Sequence, residues 1–112
     1  MKSEIVSKQT EALAENGLDA IISCSPENFA YVSGFVVPSQ PLIRHRHAMA
    51  IITADFGQAL FGVDMEASTI ECRANSVPTK IWAEFTDDPM IVLAEQLTEI
   101  GLASGRIGIE FD

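Results

Sequence analysis

The side chains best suited to chemistry are crowded into one short stretch. Arg44, His45, Arg46 and His47 follow one another directly, so two of the seven Lys and Arg residues and both histidines stand together. They fall in a window of 27 residues, 28–54, that holds no Asp or Glu, although the chain carries 16 acids. Pro38 and Pro41 precede them and stiffen the segment. Arginine in such a setting suits a carboxylate, because its planar guanidinium can hold both oxygens through parallel hydrogen bonds. The pattern fits a loop that meets the carboxylate of a substrate or partner, and it fits equally a solvated turn that offsets the surrounding negative charge. Phe35, at the head of the segment, joins Arg44, His45 and Arg46 as a candidate substrate-loop residue.

Other reactive residue types give less. His45 and His47 are two apart with no neighbouring acid and no HExxH, which is not a metal-binding pattern. There is no GxGxxG; Gly57 and Gly62 have P-loop spacing, but Val63 and Asp64 stand where Lys and Ser or Thr are needed. Cys24 and Cys72 are separated by 47 residues, far from a CxxC spacing, and read as reduced, buried thiols that react slowly. Asp87-Asp88 is adjacent, but Asp88 before Pro89 reads as a helix cap rather than half of an acid–base pair. Trp82 falls in an alternating stretch and reads as packing. No nucleophile, base and orienting group can be assembled, so no catalytic residue is assigned.

The elements that must position these residues follow from local signals. Residues 3–16 predict a helix capped by Ser3 and stopped at Gly17, and residues 18–24 a buried strand. Ser25-Pro26-Glu27 opens a second helix that Gly34 closes. Residues 35–47 predict a loop. Residues 47–53 and 58–63 predict a hairpin joined by residues 54–57, with Gly57 left-handed. Asp64 is expected to cap a helix over 65–74, with a strand at 79–85. Asp88-Pro89 opens a helix presenting Leu93, Leu97 and Ile100 on one face and ending at Gly101. A last strand, 106–111, should turn Ile107, Ile109 and Phe111 inward. Strands separated by helices imply crossovers, hence an α/β fold: one domain, a mixed and mostly parallel sheet of about five strands, helices on both faces.

Composition sets the outer bounds. The chain has 112 residues, 47% of them apolar and 21% charged, an ordinary globular balance. A chain of this mass buries roughly two-thirds of its surface on folding, enough for a core without disulfide or metal. A net charge of −9 repels nucleic acid and anionic membranes, and the longest apolar runs are five residues, too short to span a bilayer. Glu4, Glu11 and Glu15 near the N-terminus, with no apolar run behind Lys2, point away from a signal peptide and towards the cytoplasm.

The stretch SPENFAYVSGF, residues 25–35, resembles the signature of the N-terminal domain of the creatinase / aminopeptidase P / prolidase family. GLDAII before it, AMAIITADFGQALFGVD after it and the closing RIGIEFD match that domain in order, so the resemblance covers residues 1–112. It implies a non-catalytic domain of a metallopeptidase-like hydrolase, an Xaa-Pro dipeptidase or aminopeptidase, shaping the substrate site and the dimer contact. It implies a C-terminal pita-bread domain, not in this chain, that holds a divalent metal pair (Mn, Co or Zn) on two Asp, one His and two Glu. No cofactor belongs to the present residues. The implied partners are that catalytic domain and a second subunit. The final strand, with no helix after it, fits a first domain excised from something longer. In the creatinase branch an aromatic-Gly-Arg before the hairpin contributes to substrate binding; the matching positions read Ile43-Arg44-His45, a departure that weighs against creatine. A creatinase-type metal-free amidinohydrolase and a free-standing α/β binding module remain as alternatives.

Overall fold

The computed structural model describes residues 3–36, 47–55, 57–74, 77–102 and 104–109. The chain begins with α1 (Ser3–Asn16), whose Val6, Thr10 and Leu13 are buried on one side, and passes into β1 (Ala20–Ser23). β1 is shorter than the apolar run predicts. At its start the Leu18 N–H closes the end of α1 on the Leu13 carbonyl at 3.0 Å.

α2 (Pro26–Ser33) follows from three local signals. Ser25 has extended backbone and its hydroxyl accepts the Asn28 N–H at 3.2 Å; Pro26 needs no hydrogen bond; Gly34 sits at φ 88°, a conformation that costs other residues about 1–2 kcal/mol. β2 (Met49–Thr53) and β3 (Gln58–Val63) form the predicted hairpin, closed by the Thr53 N–H on the Gly57 carbonyl at 2.9 Å. Gly57 is not left-handed, contrary to expectation: the positive-φ glycines are Gly17, Gly34 and Gly101. Glycine is needed at 57 because a Cβ there would collide with the Thr53 hydroxyl, which bonds the Asp55 carboxylate across the turn.

Asp64 does not cap the next helix. A 3₁₀ turn (Asp64–Glu66) precedes α3 (Ala67–Arg73), and Asp64 Oδ1 instead accepts the Glu84 N–H at 3.3 Å. β4 (Thr79–Trp82) stops three residues short of expectation, because Asp87 Oδ2 takes the Ala83 N–H at 2.8 Å and bends the chain into a turn. Asp88 does cap α4 (Pro89–Glu99), accepting the Met90 N–H at 2.9 Å. β5 (Ile107–Ile109) completes the sheet.

The strand order is β4-β3-β2-β1-β5. β1 pairs in parallel with β5 and β3 with β4, while β2 is antiparallel to both its neighbours, so four strands run one way and β2 alone runs against them. This is the mixed, mostly parallel α/β sheet that the order of elements predicts. On one face Val6, Leu13, Phe29, Val32 and Ile70 of α1, α2 and α3 pack on Ala50, Ile52 and Leu60. On the other, Val92 and Leu93 of α4 pack on Ile22, Ile51, Phe61 and Trp82. The Cα radius of gyration, 13.1 Å, is that of a close-packed chain of this length, for which about 13 Å is expected.

The edges depart from the inward pattern. Ile100 is 37% and Ile109 43% exposed, because α4 is unwinding at the first and β5 is an outer strand at the second; Phe111 lies outside the described residues. The cysteines also divide. Neither forms a disulfide, but only Cys24 is half-buried, its thiol against the Ile22 carbonyl, whereas Cys72 is exposed on the outer side of α3. α3 buries only Ile70, so Cys72, expected to be buried, stands on its solvent face. A thiol-exchange reagent should therefore modify the native chain in two steps, Cys72 rapidly and Cys24 only slowly; two equally slow thiols would contradict the exposure of α3.

Candidate functional site

A sheet of this kind offers two rims. In open α/β sheets ligands bind at the carboxyl ends of the parallel strands. Here that rim comprises the ends of β1, β3, β4 and β5, together with the entry to β2 at His47 and Ala48. Trp82 closes β4 with its side chain buried, its indole Nε1–H donating to the His47 carbonyl at 3.1 Å and its ring centroid 6.3 Å from the imidazole. His47, which follows the Arg44-His45-Arg46 stretch in sequence, thus stands beside a buried indole. Ser25 and Asp64 stand on the same rim, one capping α2 and the other holding the Glu84 N–H.

Of the sequence-predicted site residues, Arg44, His45 and Arg46 lie outside the described residues. Phe35 is described, and it is in the core. It is 6% exposed and meets Phe29 edge-to-face, with centroids 5.4 Å apart and an interplanar angle of 86°. Its N–H donates to the Ser33 hydroxyl at 3.3 Å, that hydroxyl lies 3.2 Å from its carbonyl, and the Arg73 guanidinium lies 5.9 Å from its ring. Phe35 therefore roots the segment in the core, and the next residue, Val36, is 61% exposed.

The opposite rim carries an open cleft of about 680 Å³, lined by Asp19, Thr53, Asp55, Gln58, Ile100 and Ser104 among others. Its two carboxylates serve the architecture. Asp19 Oδ2 accepts the Arg106 N–H at 2.8 Å, tying the start of β1 to the start of β5. Asp55 accepts the Thr53 hydroxyl and a bond from the Gly57 backbone, and these hold its carboxyl below the ordinary value of 3.8. A depressed carboxyl favours the folded hairpin above its ordinary pKa and loses that contribution as pH falls through the lowered one. Among the described residues no three His, Cys, Asp or Glu side chains converge into a metal centre. Sequence reasoning missed both the Trp82–His47 and the Asp19–Arg106 contacts, which join residues 35 and 87 positions apart and leave no local signal.

The family model for the creatinase/prolidase N-terminal domain matches residues 6–112. Among solved structures, a dipeptidase from Pyrococcus horikoshii OT3 is 25% identical with a TM-score of 0.71, over 95% of this chain and 28% of that one. The N-terminal domain of an Xaa-Pro dipeptidase from Lactobacillus brevis is 17% identical with a TM-score of 0.78, over 96% of this chain and 76% of that one. A proline dipeptidase from Streptococcus pneumoniae is 20% identical with a TM-score of 0.73, over 100% of this chain and 76% of that one. No curated protein sequence matches significantly. The chain thus spans under a third of the Pyrococcus dipeptidase.

The placement of Phe35 has a measurable consequence. Phe35→Ala should lower the unfolding free energy by about 3–5 kcal/mol in denaturant titration, as for a core phenylalanine. A change under about 0.5 kcal/mol, the usual surface value, would return Phe35 to the loop.

Proposed function

The chain belongs to the creatinase/prolidase N-terminal domain family, and from that membership we propose that it is the non-catalytic first domain of an Xaa-Pro dipeptidase-type hydrolase. The observation that carries this is the family match over residues 6–112. The neighbouring structures support it, being an Xaa-Pro dipeptidase N-terminal domain and a proline dipeptidase. The family resemblance assigns the metal pair and the bond-breaking step of this proposal to a following catalytic domain.

In this proposal the present residues shape the substrate end of that site and contribute to a homodimer contact. The connecting segment, leaving at Val36 and returning at His47, brings Arg44 and Arg46 to a substrate carboxylate. A dipeptide ends in such a group, and the acid-free window 28–54 leaves no carboxylate of the segment's own to compete for the guanidinium. The departure at Ile43-Arg44-His45 favours a proline-specific dipeptidase over creatine hydrolysis. Two cysteines that form no disulfide suit a reducing cytoplasm, and among the described residues no helix is long and apolar enough to cross a membrane.

The 112-residue chain alone should hydrolyse no Xaa-Pro dipeptide with Mn²⁺, Co²⁺ or Zn²⁺ present. In the complete enzyme, Arg44→Ala or Arg46→Ala should raise KM for a dipeptide about tenfold or more, since a charge-assisted hydrogen bond contributes about 1.5–3 kcal/mol. Metal-dependent turnover by the chain alone, or wild-type kinetics in both variants, would overturn the assignment.

A further inference from the structure

Large apolar side chains collect, unburied, where β4 hands over to α4. Phe85 is 84% exposed, and Met90 and Ile91 are 47% and 60% exposed. Met65, 59% exposed, lies in the 3₁₀ turn after β3, which the Glu84 N–H to Asp64 Oδ1 bond fastens to the same place. Four of the eight exposed large apolar residues among those described therefore stand on two linked turns and the start of one helix. Exposed Ala94 continues the stripe one helical turn beyond Met90. Isolated exposed apolar residues need no explanation, but a grouping of this kind marks an interaction surface.

The turn is also held in shape. Asp87 Oδ2 accepts the Ala83 N–H at 2.8 Å, the Asp87 N–H returns to the Ala83 carbonyl at 2.9 Å, and Asp88 Oδ1 fixes the Met90 N–H at 2.9 Å. Phe85 projects from a backbone that is already ordered, so little conformational freedom is lost when a partner covers it.

Charge says what kind of partner that is. Between Lys80 and Arg106 lie 25 residues with no Lys or Arg and five acids: Glu84, Asp87, Asp88, Glu95 and Glu99. Lys80 is itself paired with Glu99 at 2.9 Å. A second copy docking through a two-fold axis would set this acidic turn against itself. Nucleic acid and anionic lipid meet the same repulsion. The complementary surface is aliphatic or aromatic at its centre and rimmed by Lys or Arg.

We propose that the turn after β4 and the first turn of α4 form a docking site for a basic amphipathic protein segment, with Phe85 as its anchor. The site is independent of the carboxylate-binding role given to Arg44 and Arg46.

The test is an NMR titration of the ¹⁵N-labelled 112-residue chain. The probe is a synthetic helical peptide with leucines along one face and lysines on both flanks. Two controls replace the leucines by serine or the lysines by glutamate. Saturable shifts confined to amides around Phe85, Met90, Ile91 and Met65 are expected with the leucine–lysine peptide. Affinity should fall about tenfold or more for either control peptide and for the Phe85→Ser chain, the loss typical of a removed anchor. Equal binding of the serine peptide would reduce the effect to diffuse charge, and unchanged affinity in Phe85→Ser would remove the anchor. Shifts elsewhere, no shifts, or self-association of the chain abolished by Phe85→Ser would each overturn the proposal. So would loss of the native spectrum in Phe85→Ser, since it would make Phe85 a core residue.

Discussion

β2 is buried at every one of its five positions, and the rest of the architecture answers to that requirement. It is the middle strand of the sheet, and its side chains alternate between the two faces. Ala50 and Ile52 enter the core beneath α1, α2 and α3, while Met49 and Ile51 enter the core beneath α4. A strand that is apolar on both faces needs helices on both, which excludes a two-layer fold with one wet face. Fully burying a side chain such as Ile51 or Ile52 contributes about 1.5–3 kcal/mol, so the central strand strongly specifies its own register. Ile51 sits between Ile22 and Ala59, and a one-residue slip would send its side chain into the opposite core.

The same constraint covers both faces of the sheet and leaves its two rims accessible. The buried polar side chains largely serve the backbone: Ser25 caps α2, Ser33 holds the turn at Phe35, and Gln96 Nε2 donates to the Leu60 carbonyl at 3.0 Å. The carboxyl rim gathers the indole–carbonyl anchor at His47 and the acidic turn bearing Phe85; the amino rim holds a cleft whose carboxylates tie strands together. The role proposed for this domain, shaping the substrate end of a neighbouring catalytic site and contributing to a homodimer contact, falls to those rims.

Local chemistry made most of the elements legible in sequence. Ser25-Pro26 with Gly34, and Asp88-Pro89 with Gly101, bracket their helices because capping and left-handed termination depend on residues within one turn. What sequence missed depends on partners far along the chain. Asp64 is a plausible cap until the Glu84 N–H, 20 residues away, claims it. Gly57 is placed by the Thr53 hydroxyl rather than by its own φ. Trp82 to Phe85 alternates like a strand, and only the Asp87 carboxylate shows why the chain turns there and leaves Phe85 outside. At the site, composition singled out the acid-free segment, but Phe35 counted as part of its loop when its ring belongs beside Phe29. The resemblance carried by residues 25–35 succeeded where spacing could not, because it compares a whole domain rather than a set of reacting groups.

Native-state hydrogen exchange tests the dependence on β2 most directly. If two-sided burial of that strand governs the fold, the Ala50, Ile51 and Ile52 amides should exchange only through global unfolding, with a free energy equal to that from denaturant titration. Amides of α3, which buries only Ile70, should open at lower free energy. Exchange of the β2 amides through a local opening, at a free energy no higher than that of α3, would contradict the account.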